Sequence, residues 1–150
     1  MFRKASSADL SAVIALLADD PLGATREIAS ETIDQAYRDA FAAIEADSNQ
    51  LLVVAVDDDD KAIGCLQLSF IPGLSRTGMW RGQIESVRIA ADHRGDRLGA
   101  AMIEWAVEQA KQRGCGLVQL TSDKQRPDAI RFYEKFGFVA SHEGLKLDLS

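Results

Sequence analysis

At Ala91–Met102, ADHRGDRLGAAM, two glycines (Gly95, Gly99) and two arginines (Arg94, Arg97) stand between an alternating stretch and a long apolar-periodic one. Glycine lets the backbone come close to a ligand, and the amides that open a helix converge on an anion, so this junction suits a phosphate. Two guanidiniums in a chain of formal net charge −6 place positive charge locally, which points to a diphosphate rather than to the surface of a polyanion. A glycine-assisted turn with surface arginines is the plainer account of the same residues. Neither a GxxxxGK[ST] phosphate loop nor a GxGxxG turn occurs, so an anion site here is of another type.

Other reactive side chains carry less. Asp57–Asp60, followed by Lys61, reads as the solvated tip of a hairpin in preference to a metal site. Cys65 lies in an apolar run and Cys115 between Gly114 and Gly116; two distant thiols make neither a disulfide framework nor a zinc cluster, and buried, reduced thiols are expected. His93 and His142 fall in polar turns with no serine elbow, which argues against a hydrolase triad. No metal is expected.

The elements that must position these residues fit one domain, 1–150, because 150 residues support a single core. Hydrophobic residues at 47% and charged ones at 27% are globular proportions. With 17 Lys and Arg against 23 Asp and Glu, a general affinity for nucleic acid or anionic membranes is disfavoured. The longest apolar run, Leu51–Val56, is far short of the roughly 20 residues of a membrane span, and MFRKASSADL reaches Asp9 before an apolar signal region develops. A cytoplasmic protein is expected.

Along the chain, Phe2–Lys4 suggests a short strand, and Ser7 or Asp9 a cap for a helix carrying Leu10, Val13, Ile14 and Leu17. A loop over Asp19–Arg26 leads to a second helix predicted from Glu27 to about Ala46, on Ile33, Ala36, Tyr37, Ala40, Phe41 and Ile44. Leu51–Val56 and Ala62–Phe70 read as a hairpin, and Arg81–Ala90 as a strand with Ile84, Ser86 and Arg88 alternating against Glu85, Val87 and Ile89. A long helix from about Arg97 to Arg113, a strand Leu117–Ser122 and a short helix Arg126–Phe136 follow, stopped by Gly137. Phe138–Ala140 and Gly144–Leu149 read as a closing pair of strands. The class is α/β.

Taken together, Arg94–Ala100 (RGDRLGA), Ile84–Ile89 (IESVRI) and Ala129–Phe138 (AIRFYEKFGF) resemble, in order and separation, the R/Q-x-x-G-x-G/A loop, fourth strand and A-x-x-F-Y-x-x-x-G-F segment of the GNAT acyl-CoA N-acetyltransferases. Arg97 stands in place of the first motif glycine, and the asparagine frequent before the second motif is missing, Asn49 being the sole asparagine. The resemblance implies a mixed, mostly antiparallel sheet splayed between strands 4 and 5, with about four helices. It implies acetyl-CoA as acyl donor, held by strand backbone at Val87 and Ile89, by the loop Arg94, Gly95, Asp96, Arg97, Leu98, Gly99 and Ala100, and by Phe132.

For the chemistry, the resemblance implies direct attack by an amine. Glu85 would take the amine's proton, directly or through water, the Val87 amide would face the developing oxyanion, and Tyr133 would protonate the departing thiolate. A surface strand carboxylate and a core aromatic are the plainer readings of Glu85 and Tyr133. The expected partner is a small-molecule or peptide amine acceptor, selected by Asp20–Arg26 and Ile71–Gly82, with a homodimer left open. A non-catalytic acyl-CoA sensor on the same fold is the alternative.

Overall fold

The computed structural model describes residues 1–150. The chain divides into two compact units, Met1–Val118 and Gln119–Ser150. A five-stranded sheet runs in chain order from β1 (Phe2–Lys4) through β2 (Gln50–Val56), β3 (Ala62–Ile71) and β4 (Arg81–Ile89) to β5 (Leu117–Leu120). The first four strands pair antiparallel, with Phe2 opposite Ala55, Gln50 opposite Ser69 and Gln67 opposite Glu85, while β4 and β5 run parallel. This is the mixed, mostly antiparallel α/β architecture expected, with six helices where about four were anticipated, because two single-turn segments count among them.

In the first unit, α1 (Leu10–Ala18) and α3 (Gln35–Ala46) bury Leu10, Val13, Ile14 and Phe41 against Leu52, Val54 and Cys65 of the sheet. On the other side α5 (Leu98–Gln112) comes close to the strands: a Cβ at Gly64 would stand 3.0 Å from Met102 Sδ, and one at Gly82 would stand 3.0 Å from Ala110 Cβ. Glycine in these strands is therefore a packing requirement. Leu66, Leu68, Met102 and Ile103 are fully buried, each contributing about 1.5–3 kcal/mol of transfer free energy.

Several expectations need correction. The second helix begins at Gln35 and not at Glu27: the Asp34 carboxylate accepts the Ala36 amide at 2.9 Å and fixes the start, leaving Ile33 outside. Asp9 stands at the N-cap of α1, as one of the two expected residues, but its carboxylate does not cap that helix; it accepts the Ser6 amide at 2.7 Å across a 3-10 turn, Ser7–Asp9, that precedes α1. The loop Asp19–Arg26 contains a single turn, α2 (Gly23–Arg26), held by the Asp20 carboxylate, which accepts the Gly23 amide. A second single-turn segment, α4 (Ser75–Gly78), sits in the β3–β4 connection, with Arg76 and Thr77 in left-handed backbone.

Strand β4 does not alternate throughout. Cys65 pairs with Arg88 and Gln67 with Glu85, so Ser86 and Val87 together oppose Leu66 in a bulge, and Ser86 takes φ 56°. In the second unit, α6 (Pro127–Glu134) forms as expected, with Pro127 in its first turn, and Gly137 at φ 97° follows it. The closing strand pair is not formed. Beyond α6 no strand is present, and Val139, Leu145, Leu147 and Leu149 stand exposed.

Candidate functional site

β4 leads through a 3-10 turn (Ala91–His93) and Arg94–Arg97 into the N-terminus of α5. Two residues of the loop adopt left-handed backbone, Gly95 at φ 95° and Arg97 at φ 64°. At Gly95 a Cβ would meet nothing within 4 Å, so conformation and not crowding makes glycine apt there. Arg97 holds a conformation that glycine adopts freely, at a cost of about 1–3 kcal/mol. Its backbone begins the helix, its carbonyl accepting the Ala101 amide at 3.0 Å.

No side chain caps α5, and the amides of Leu98, Gly99 and Ala100 precede the first intrahelical bond, so they point outward at the positive end of a 15-residue helix. Two other amides of the expected anion loop are already used: Arg94 donates to the Ala91 carbonyl and Asp96 to the His93 carbonyl, both at 3.3 Å. The Asp96 carboxylate lies 3.4 Å from His93 Nδ1.

The two arginines that follow the bulge grip the backbone and the turn after α1. Arg88 Nη1 donates to the Val87 carbonyl at 2.9 Å, and its Nε lies 3.1 Å from Asp20 Oδ2, a half-buried ion pair. Arg94 Nε donates to the Ile89 carbonyl at 3.3 Å, and its Nη2 reaches the Asp19 carbonyl at 3.2 Å and carboxylate at 3.5 Å. The carbonyls at both strand positions expected to hold the donor thus bond arginine side chains. No sequence signal announces this tie, because Asp19 and Arg94 are far apart in the chain.

Glu85 is exposed on β4, its Oε1 accepting from Gln83 Nε2 at 3.1 Å, and its cross-strand neighbour is Gln67. Gln67 Nε2 donates in turn to Gln50 Oε1 at 3.0 Å. Beside them opens a cavity of about 150 Å³, walled by α1 and α3 with Tyr37 and Phe41 and floored by Cys65, Gln67 and Ser86. Tyr37, read from the sequence only as part of an apolar face, donates its hydroxyl to Glu27 Oε1 at 2.9 Å and accepts the Ile28 amide at 2.8 Å. Burial raises its pKa.

Burial also pushes the Cys65 thiol up to about 12, and that of Cys115, which is half-buried, upward. Both are protonated thiols without the thiolate character of a nucleophile. The Asp57–Asp60 run is a turn: the Asp57 carboxylate accepts the amides of Asp59 and Lys61 at 2.9 Å, and Asp60 pairs with Arg3.

In the second unit, Phe132 and Tyr133 meet edge to face at 5.2 Å between centroids, Phe132 meets Phe136 at 5.2 Å, and Tyr133 meets Phe138 at 5.9 Å. Tyr133 is therefore part of an aromatic cluster.

The model of the acetyltransferase (GNAT) family matches residues 13–138, from within α1 to beyond α6. The chain belongs to the GNAT family. It is 31% identical over 141 residues, 93% of its own length and 85% of the relative's, to the aminoalkylphosphonate N-acetyltransferase of Salmonella typhimurium. Over 89 residues, 59% of this chain and 58% of the relative, it is 35% identical to the glucosamine 6-phosphate N-acetyltransferase of Trypanosoma brucei brucei. A crystal structure of a transcriptional regulator from Bacillus halodurans C-125 superposes with TM-score 0.96 at 46% identity, over 99% of each chain. This GNAT chain is thus an acyltransferase, and N-acetyltransferase activity is its general class. No helix in it is long and apolar enough to cross a membrane.

Proposed function

We infer that this protein moves an acetyl group from acetyl-CoA to a primary amine by direct attack, and that residues 1–150 work as one catalytic domain. The observation that carries the reading is the junction after β4, where a left-handed turn delivers uncapped amides of Leu98, Gly99 and Ala100, beside Arg94 and Arg97, to the start of α5. That donor set fits a diphosphate. Acetyl-CoA, when bound, supplies a thioester with a thiol leaving group; Val87, Ile89, the run Arg94–Ala100 and Phe132 are the residues proposed to hold it.

Glu85 receives the amine's proton, directly or through water, the Val87 amide faces the carbonyl oxygen as charge develops there, and Tyr133 donates to the departing sulfur. Protonated Cys65 and Cys115 agree with transfer that needs no protein thioester. The acceptor is a small molecule or peptide bearing an amine, bound beside Asp20–Arg26 and Ile71–Gly82, and a cytoplasmic location belongs to the same reading.

The test is release of free CoA from acetyl-CoA by the purified protein across a panel of amines that includes an aminoalkylphosphonate and glucosamine 6-phosphate. Acceleration by at least one amine is expected. The name of the Bacillus halodurans structure favours a second reading, an acyl-CoA-binding regulator, and binding of acetyl-CoA without turnover across the panel would establish that one instead.

A further inference from the structure

The cavity beside Gln67 carries no charge of its own. Leu52, Cys65 and Phe41 are its buried lining, and it reaches solvent at Ala40 and Ser86, which are exposed. Tyr37 gives it a ring alone, because the hydroxyl is spent on Glu27 and on the Ile28 amide. No Lys, Arg, Asp or Glu lines it, so an anionic group placed there would lose its hydration with no counter-charge to offset the loss. Its volume is about 150 Å³, and an apolar cavity of that size stays dry and holds a ring the size of benzene.

Polar groups gather where it opens. Gln67 Nε2 is anchored on Gln50 Oε1 at 3.0 Å, and Ser69 Oγ holds that same oxygen at 2.9 Å, so the Gln67 amide is fixed with its own oxygen left to accept. Glu85 stands opposite Gln67 across β3 and β4. Opposite residues of an antiparallel pair share a sheet face, which puts this exposed carboxylate on the cavity's side. Strict alternation would send Ser86 to the other face; the bulge, with Ser86 at φ 56°, brings it into the lining as well.

We propose that the acceptor is a primary amine bearing one compact, uncharged apolar group, of which benzylamine is the simplest probe. The apolar group fills the cavity, and the nitrogen lies at its mouth between Gln67 Oε1 and the Glu85 carboxylate. From there the nitrogen lone pair forms the C–N bond to the acetyl carbon, the C–S bond breaks with its electron pair going to sulfur, and the N–H proton passes to Glu85. Gln67 is then a specificity-determining residue, which the sequence offered only as a polar position in a strand. The inference rests on the reading of the chain as an amine acetyltransferase and narrows that reading to a class of acceptor.

The test compares kcat/KM for benzylamine with that for ethylamine, ethanolamine and the two phosphorus-bearing amines of the panel above. Calorimetric titration of benzylamine into the chain with CoA present follows binding without turnover. Benzylamine should lead the other four by roughly tenfold or more, since each buried methylene is worth about fourfold. Ala40→Phe, made at an exposed helical position on the cavity's rim, should weaken benzylamine binding roughly tenfold or more while the thermal shift given by acetyl-CoA persists. Gln67→Leu keeps the bulk, removes the oxygen and should cost about tenfold in kcat/KM for benzylamine. If ethanolamine or a phosphorus-bearing amine outruns benzylamine, the apolar acceptor is overturned and acetyl transfer stands. Benzylamine binding that ignores Ala40→Phe overturns it too. If no amine is acetylated, acetyl transfer itself fails and the acceptor class falls with it. Should a variant fold poorly, the ranking of amines on the unaltered protein still decides.

Discussion

Glu85 and Tyr133 differ in what their surroundings already explain. Glu85 lies exposed, with only Gln83 against its carboxylate, so replacing it by glutamine removes charge and leaves packing alone. Glu85→Gln should lower turnover at neutral pH by about 10²-fold and recover part of it as pH rises, since more of the amine is then already neutral. A pH–rate profile parallel to the parent's would assign the proton to another receiver. Tyr133 sits among rings at 5.2 and 5.9 Å, which phenylalanine would keep. Tyr133→Phe should therefore melt within a degree or two of the parent while kcat falls by about 10²-fold, with little change in KM for the donor. Full activity would leave Tyr133 as packing alone.

Among the elements, the turn into α5 makes the sharpest prediction. Arg97 at φ 64° is a non-glycine residue in left-handed backbone, so Arg97→Gly relieves strain while making the unfolded chain more flexible. The strain term is the larger, and urea unfolding should show a gain of up to about 1 kcal/mol. A loss of stability would mean that the arginine side chain contributes more than its backbone costs.

The first strand yields another. Hydrogen bonds from Arg3, at 2.7 and 3.0 Å, hold the Asp9 carboxyl below the usual carboxylate range against the opposing effect of burial, and the Ser6 amide adds to them. A depressed folded-state pKa contributes stability above the unfolded value, about 3.9, and loses it as pH falls through the folded value. Asp9→Asn should thus be destabilised at neutral pH, with the gap to the parent closing below about pH 4 in a series of thermal melts.

Legibility followed locality. β2, β3, β4 and α5 were read to within about a residue or two because their apolar period and glycine punctuation are local. The start of α3 was placed eight residues early because Ile33 extends its apolar period, whereas the decisive signal was one carboxylate, Asp34, as a cap. The bulge at Ser86 escaped because alternation assumes unbroken pairing, and the tie from Arg94 to Asp19 because nothing in either neighbourhood names the other. The turn into α5 was legible from its glycines; that the Arg94 and Asp96 amides are spent within the run Arg94–Ala100 was not.

Over the whole molecule, a ligand that binds only the folded chain must raise its melting temperature. At about 100 times its dissociation constant, acetyl-CoA should add about 2.7 kcal/mol. A thermal shift that grows with the logarithm of donor concentration, and that is abolished in Gly99→Val, is the expected result. An undiminished shift in that variant would move the donor away from the start of α5.

Arg94 gives this linkage a direction. Its guanidinium holds the Ile89 carbonyl and, across the chain, Asp19 at the end of α1. A phosphate that recruits those donors must first take them from Asp19, so the grip on a ligand is discounted by the work of letting the turn go. If a phosphate does so, thermodynamic reciprocity makes the exchange symmetric: whatever steadies the turn would loosen the hold on phosphate, and phosphate would in turn free the turn. The end of α1 and the turn before α5 would then be two pans of one balance, with the Arg94 side chain as the beam.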